Sequence, residues 1–206
     1  MADDEDDGLD GQRMIAWLKQ RGPDDWHFVG SNLNWDTSME VIQWILDQKD
    51  CDKATAAMMF WLSSPDYFLA FPNREALAAD RYASVNIGNF DFTRKLVDRW
   101  NSGFYTRSNI AYAPLSHVVE NYRRTEAQYA ANGLPWTVGD DIGAVRRGVD
   151  VLSDAEYRKR YSDELARLLY ALSTMIPHPD SVPGQPPDTP PQGDITGRLK
   201  RMFGLD

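Results

Sequence analysis

The side chains of this chain that are equipped for chemistry are sparse and dispersed. Its three histidines, His27, His117 and His178, lie far apart, and none has a second His or Cys at ligand spacing. The pattern therefore predicts no metal site and no cofactor. His178 falls in a proline-rich stretch and is expected in solvent. His117 precedes Val118-Val119 and reads as a partly buried helix residue. His27, after Trp26, is expected in a loop. The one thiol, Cys51, stands at the start of a predicted helix, where the helix N-terminus would lower its pKa while Asp50 and Asp52 would raise it. An unpaired Cys is more often a small core residue than a nucleophile.

Paired acids at Asp24-Asp25 and Asp140-Asp141 have the composition of a general acid and base. Their Gly and Pro neighbours also suit turns and helix starts. No phosphate loop, dinucleotide fingerprint, nucleophile elbow or His-Glu-x-x-His is present.

The elements that would position these groups are read as helices. The first runs from Asp10 through Met14, Trp17 and Leu18 and stops before Gly22-Pro23. The second opens on the capping box Thr37-Ser38-Met39-Glu40 and turns Met39, Ile42, Ile45 and Leu46 to one side. The third, capped by Asp52 and running to about Ser63, is apolar nearly all round, as a central core helix must be. A short helix from Pro65 to about Ala70, an alanine-rich one from Arg74 to Tyr82, and one carrying Phe92, Leu96 and Trp100 follow, the last stopped by Gly103. Leu115, Val118, Val119 and Tyr122 mark another helix. A second capping box, Ser153-Asp154-Ala155-Glu156, opens a long helix with Leu165, Leu168, Leu169, Leu172 and Ile176 on one stripe. Only Phe104 to Tyr112 reads as extended. The expected fold class is all-α: a single compact multi-helix domain over residues 10–176.

Both ends differ from that body. Residues 1–9 read as a disordered acidic tag; the first ten positions hold six acids and no base, most of the formal charge of −9. Residues 177–194 carry seven of the twelve prolines and read as a linker. Residues 195–206 read as a short amphipathic helix bearing Ile195, Leu199, Met202 and Phe203. The mild charge of the remainder disfavours nucleic acid as a partner. The longest apolar run, Ala54 to Leu62, is far short of the roughly 20 residues that span a bilayer. One cysteine and no secretory leader point to a reducing cytoplasm. The oligomeric state is left open.

From Asn34 to about Leu69 the sequence resembles the bacterial domain of unknown function numbered 4274. The matching residues are Asn34-Trp35-Asp36, Trp44-Ile45, Cys51-Asp52, Thr55-Ala56, Phe60-Trp61 and Pro65-Asp66-Tyr67, with Gly103-Phe104-Tyr105 and Ile110 as a later feature. The resemblance implies an all-helical domain and carries over no catalytic residue. Each matched residue also has a packing role: Asp36 or Thr37 and Asp52 cap helices, Thr55 returns a hydrogen bond to Asp52, and the aromatics fill the space between. The functional alternative is a surface groove framed by Trp26, His27, Asn32, Asn34 and Trp35, gripping a partner through aromatics and amides. The leading expectation is a non-enzymatic protein that binds another protein, such as a bacterial immunity or antitoxin protein occluding an effector. The alternatives are an enzyme with a dispersed site around Cys51, His27 and Asp36, or an adaptor using its C-terminal tail.

Overall fold

The computed structural model describes residues 6–35 and 38–173, with side chains described from Asp10 onward. Ten α-helices occur among them: α1 (Asp6–Leu18), α2 (Pro23–Asn32), α3 (Met39–Asp47), α4 (Lys53–Leu62), α5 (Pro65–Phe68), α6 (Arg74–Ala79), α7 (Ile87–Asn101), α8 (Ser116–Tyr129), α9 (Asp154–Arg160) and α10 (Asp163–Ser173). Short 3-10 turns at Ser84–Asn86, Ala130–Asn132 and Asp140–Gly143 complete them. The fold is all-α. Among the described residues the only β pairing is two isolated bridges, Ile110 with Val149 and Tyr112 with Arg146, which tie the extended 109–112 stretch to the 146–149 loop.

Helix α4 is the axis of the core. Ala54 through Trp61 are all buried, as its nearly uniform apolar sequence demands. Helices α2, α5 and α7 pack against it, and α1 lies between α3 and α10. Aromatic edges join these layers: Trp26 on Trp44 at 5.6 Å, Phe60 on Tyr122 at 5.6 Å and Trp61 on Tyr122 at 5.6 Å between ring centroids. Trp61 also donates its indole N–H to the Ile142 carbonyl at 3.3 Å.

Three expected elements differ. The segment after Gly22 is a helix rather than a loop: Pro23 occupies its first turn, where a missing N–H costs nothing, and Asp24 and Asp25 complement the helix dipole. Helix α1 begins at Asp6, ahead of Asp10. The long helix expected from Ser153 is two helices. Ser153 caps α9 as read, its hydroxyl accepting from the Glu156 N–H, but α9 stops at Arg160. The Ser162 hydroxyl then accepts from the Leu165 N–H at 3.2 Å and starts α10 anew. Asp140-Asp141 opens only a 3-10 turn. The expected acidic tag falls mainly, and the caps at Asp36 and Thr37, the body boundary near Ile176, the proline linker and the terminal helix fall wholly, outside the described residues.

Candidate functional site

The chemistry-bearing side chains meet at the N-terminus of α4. Asp52 caps that helix, accepting from the Ala54 N–H at 2.9 Å through one carboxylate oxygen. Its other oxygen accepts from the Asn109 N–H at 2.7 Å and lies 3.6 Å from Arg107 Nε. The Lys53 N–H is taken by the Arg107 carbonyl at 2.8 Å. Asp52 has no exposed surface, so a cap readable from sequence is also the buried anchor of the 107–109 loop. Arg107 continues outward to Asp24 at 3.5 Å.

Helix α2 turns Trp26 and His27 inward. Trp26 donates its indole N–H to the Leu18 carbonyl at 3.0 Å, closing the end of α1. His27 has no exposed surface, and its Nδ1 shares a 3.0 Å hydrogen bond with the Thr55 hydroxyl. Thr55 thus serves His27, not Asp52 as its spacing suggested. The Tyr112 ring stands edge-on at 6.5 Å, and His27 Nε2 has no hydrogen-bond partner. Burial drives the His27 pKa down from 6.5 to about 4, against the pull of Asp150, so the ring is neutral near pH 7.

Cys51 is buried beside this cluster without joining it. Its Sγ lies 3.8 Å from the Asp52 carbonyl, while the His27 Nδ1 is engaged by Thr55. Burial first, and the Asp52 charge second, push the thiol well above its ordinary pKa. A Cys-His pair needs a thiolate and a base within reach of it. Neither condition is met in this arrangement.

The remaining groove residues sit elsewhere. Asn32 donates to the Phe28 carbonyl at 2.8 Å and to the Ser31 hydroxyl at 3.0 Å, satisfying the end of α2 with its own amide. Asn34 is half-buried, and Trp35, also half-buried, packs edge-on to Phe92 at 5.3 Å. Of the five residues expected to frame a groove, Trp26 and His27 are therefore interior, and Asn32, Asn34 and Trp35 lie nearer the surface at the exit of α2. His117 is exposed on α8 rather than partly buried.

The two pairs of acids behave differently. Asp24 and Asp25 both engage Arg160, at 3.3 and 2.9 Å. Asp140 reaches Arg123 at 2.8 Å, whereas Asp141 accepts from the Trp100 indole N–H at 3.0 Å. No group of three or more His, Cys, Asp and Glu able to hold a metal occurs among the described residues. A depression between α3 and α7, lined by Gln43, Asp47, Lys95, Arg99 and Tyr105 among others, has room for about one water molecule.

Sequence reasoning missed the exposed apolar side chains. Tyr82 and Val85 stand 80% and 83% exposed on the turn between α6 and α7. Val145 is 72% exposed, with Val149 and Leu152 also open, on the loop before α9. They lie in turns and loops, where periodicity carries no signal.

Residues 21–101 match the family model of a domain of unknown function, DUF4274. The DUF4274 match covers α2 through α7, so it holds most of the cluster built around α4, with Leu18, Arg107, Asn109, Tyr112, Asp150 and Arg160 outside it. It reaches further in both directions than the Asn34–Leu69 resemblance and stops short of Gly103-Phe104-Tyr105 and Ile110. No curated protein and no solved structure matches the chain. Among the described residues no helix is long and apolar enough to cross a membrane.

Proposed function

We propose that this protein works by binding another protein, in the manner of a bacterial immunity or antitoxin protein that occludes an effector. The observation that carries this reading is how the side chains are divided between inside and outside. Cys51, His27 and Asp52, the groups best suited to catalysis, are enclosed, whereas Tyr82, Val85 and Val145 are more than two-thirds exposed on loops. Exposed apolar side chains on loops offer contact points to a partner. Enclosed polar groups bonded to one another are the raw material of a scaffold. The same reading sets the protein in a reducing cytoplasm, with Cys51 kept as a thiol.

The test is to mix the full chain with each product of the neighbouring reading frames and follow co-elution and effector activity. The reading expects one product to form a complex, weakened at least about tenfold by Tyr82→Ser/Val85→Ser or by Val145→Ser/Val149→Ser. Absence of any complex, or one indifferent to both double variants, would sink it.

A further inference from the structure

Helices α9 and α10 pack on the rest of the described body mostly through half-buried side chains, and the described ion pairs that reach across converge on one residue. No residue of α9 is fully buried, and only Leu165 and Leu172 are buried on α10. Beyond those two leucines the apolar contacts are made by half-buried side chains: Leu168 and Leu169 where α10 lies along α1, Tyr161, and the Tyr157 ring edge-on to Phe28 at 5.0 Å. Trp17 on α1 adds an indole N–H donated to Glu164 at 3.2 Å.

Among the described residues, the ion pairs that cross from α9 and α10 to the rest of the body converge on Arg160, the last residue of α9. Its guanidinium meets Asp25 at 2.9 Å and Asp24 at 3.3 Å, both at the head of α2, and Glu156 of its own helix at 3.7 Å. Its side chain is only 17% exposed, so solvent screens these pairs weakly. Asp24 is shared with Arg107, which is also the partner of buried Asp52. The clasp therefore ends on the same network that caps α4.

Closing the arm also leaves two polar atoms unsatisfied: the Tyr157 hydroxyl and Arg160 Nε are buried without hydrogen-bond partners. Each forfeits hydration that opening would restore, which offsets part of what the leucines contribute. Few fully buried residues, unsatisfied polar atoms at the seam and one multivalent ionic fastener are the features of an element that opens before its domain unfolds.

We propose that α9 and α10 form a separable arm, clasped by Arg160 to the head of α2, that opens as a unit while α4 stays folded. Opening parts the Tyr157 ring from Phe28, which is wholly buried in the closed state. The device is independent of the protein-binding reading and stands or falls separately from it.

Native-state hydrogen exchange on the full chain tests it without any substitution. Amides of residues 155–173 are expected to exchange about tenfold or more faster than those of 56–62, through a shared opening whose denaturant slope is smaller than that of global unfolding but not zero. Arg160→Met keeps much of the aliphatic stem and removes the charge. It is expected to accelerate the arm about tenfold more and leave α4 unchanged. The proposal is overturned if arm and α4 exchange together in the unaltered protein, or if Arg160→Met moves both equally or neither. A variant that fails to fold also counts against it, since the clasp would then be holding the core.

Discussion

Eight of the ten residues of α4 are buried, against none of α9 and two of α10. The two regions also treat charge differently. At the head of α4 a single wholly buried carboxylate, Asp52, accepts from two backbone N–H groups and has Arg107 beside it. At the end of α9 one guanidinium is spread over three carboxylates and still keeps a donor unused. The first arrangement fixes a backbone position, because both acceptor atoms are committed at 2.9 Å or closer. The second fastens one surface to another. Their difference indicates where this fold is rigid and where it can yield.

The sharpest way to break the comparison is at Trp61, whose ring touches Phe60 and Tyr122 and whose N–H reaches Ile142. Trp61→Ala is expected to cost about 3–5 kcal/mol, read from denaturant midpoints at constant slope. A change of the size found at an ordinary surface position would remove α4 from the centre of the account.

Acid should act next. The folded His27 pKa of about 4 lies below the unfolded value of 6.5, so the folded state favours the neutral ring. Its contribution is fully present above pH 6.5 and is lost as pH falls through the window from 6.5 to 4. The loss approaches about 3 kcal/mol by the bottom of that window. His27→Asn, which retains a polar group near Thr55, should flatten the stability-against-pH curve between those values. An unchanged slope in the variant would show that carboxylates alone set the acid limit.

Asp52→Ala should destabilise by about 2–3 kcal/mol, more than the roughly 1 kcal/mol that a cap alone contributes, because the Asn109 N–H also loses its acceptor. Thermal melts at a single pH check this; a loss no larger than a simple cap would mean that Asn109 finds another partner. The smallest effect is expected at Tyr82→Ser/Val85→Ser, within about 0.5 kcal/mol per site of the unaltered protein. A large loss there would make those side chains structural and remove them from the binding surface.

The same contrast explains what the sequence could and could not reveal. Helix α4 was readable because its signals are local: Asp52 in capping position followed by a run apolar on every side. The tie from Asp52 to Arg107 and Asn109 was not, since partners more than fifty positions away leave no spacing pattern. Helix α2 was hidden by ambiguous punctuation. Gly22-Pro23-Asp24-Asp25 reads as a stop and a turn, yet the same Pro in a first turn with acids beside it starts a helix. That error carried His27 from the interior into a loop and so into a groove. The break between α9 and α10 had a legible marker in Ser162, overridden by the leucine stripe that runs across it. The mutual arrangement of the Trp26, His27, Asn32, Asn34 and Trp35 side chains depends on which face of α2 meets α4, and only tertiary packing decides that.

Thiol labelling tests most directly the claim that the residues suited to chemistry are interior supports. Cys51 is the only cysteine, so any signal reports one site. With its Sγ buried and its thiol pKa raised, native protein at pH 8 should label far more slowly than denatured protein. The rate should climb with denaturant alongside exchange of the α4 amides. Prompt labelling of the folded protein, at a rate close to that of a free thiol, would show an accessible thiolate at the head of α4 and contradict the account.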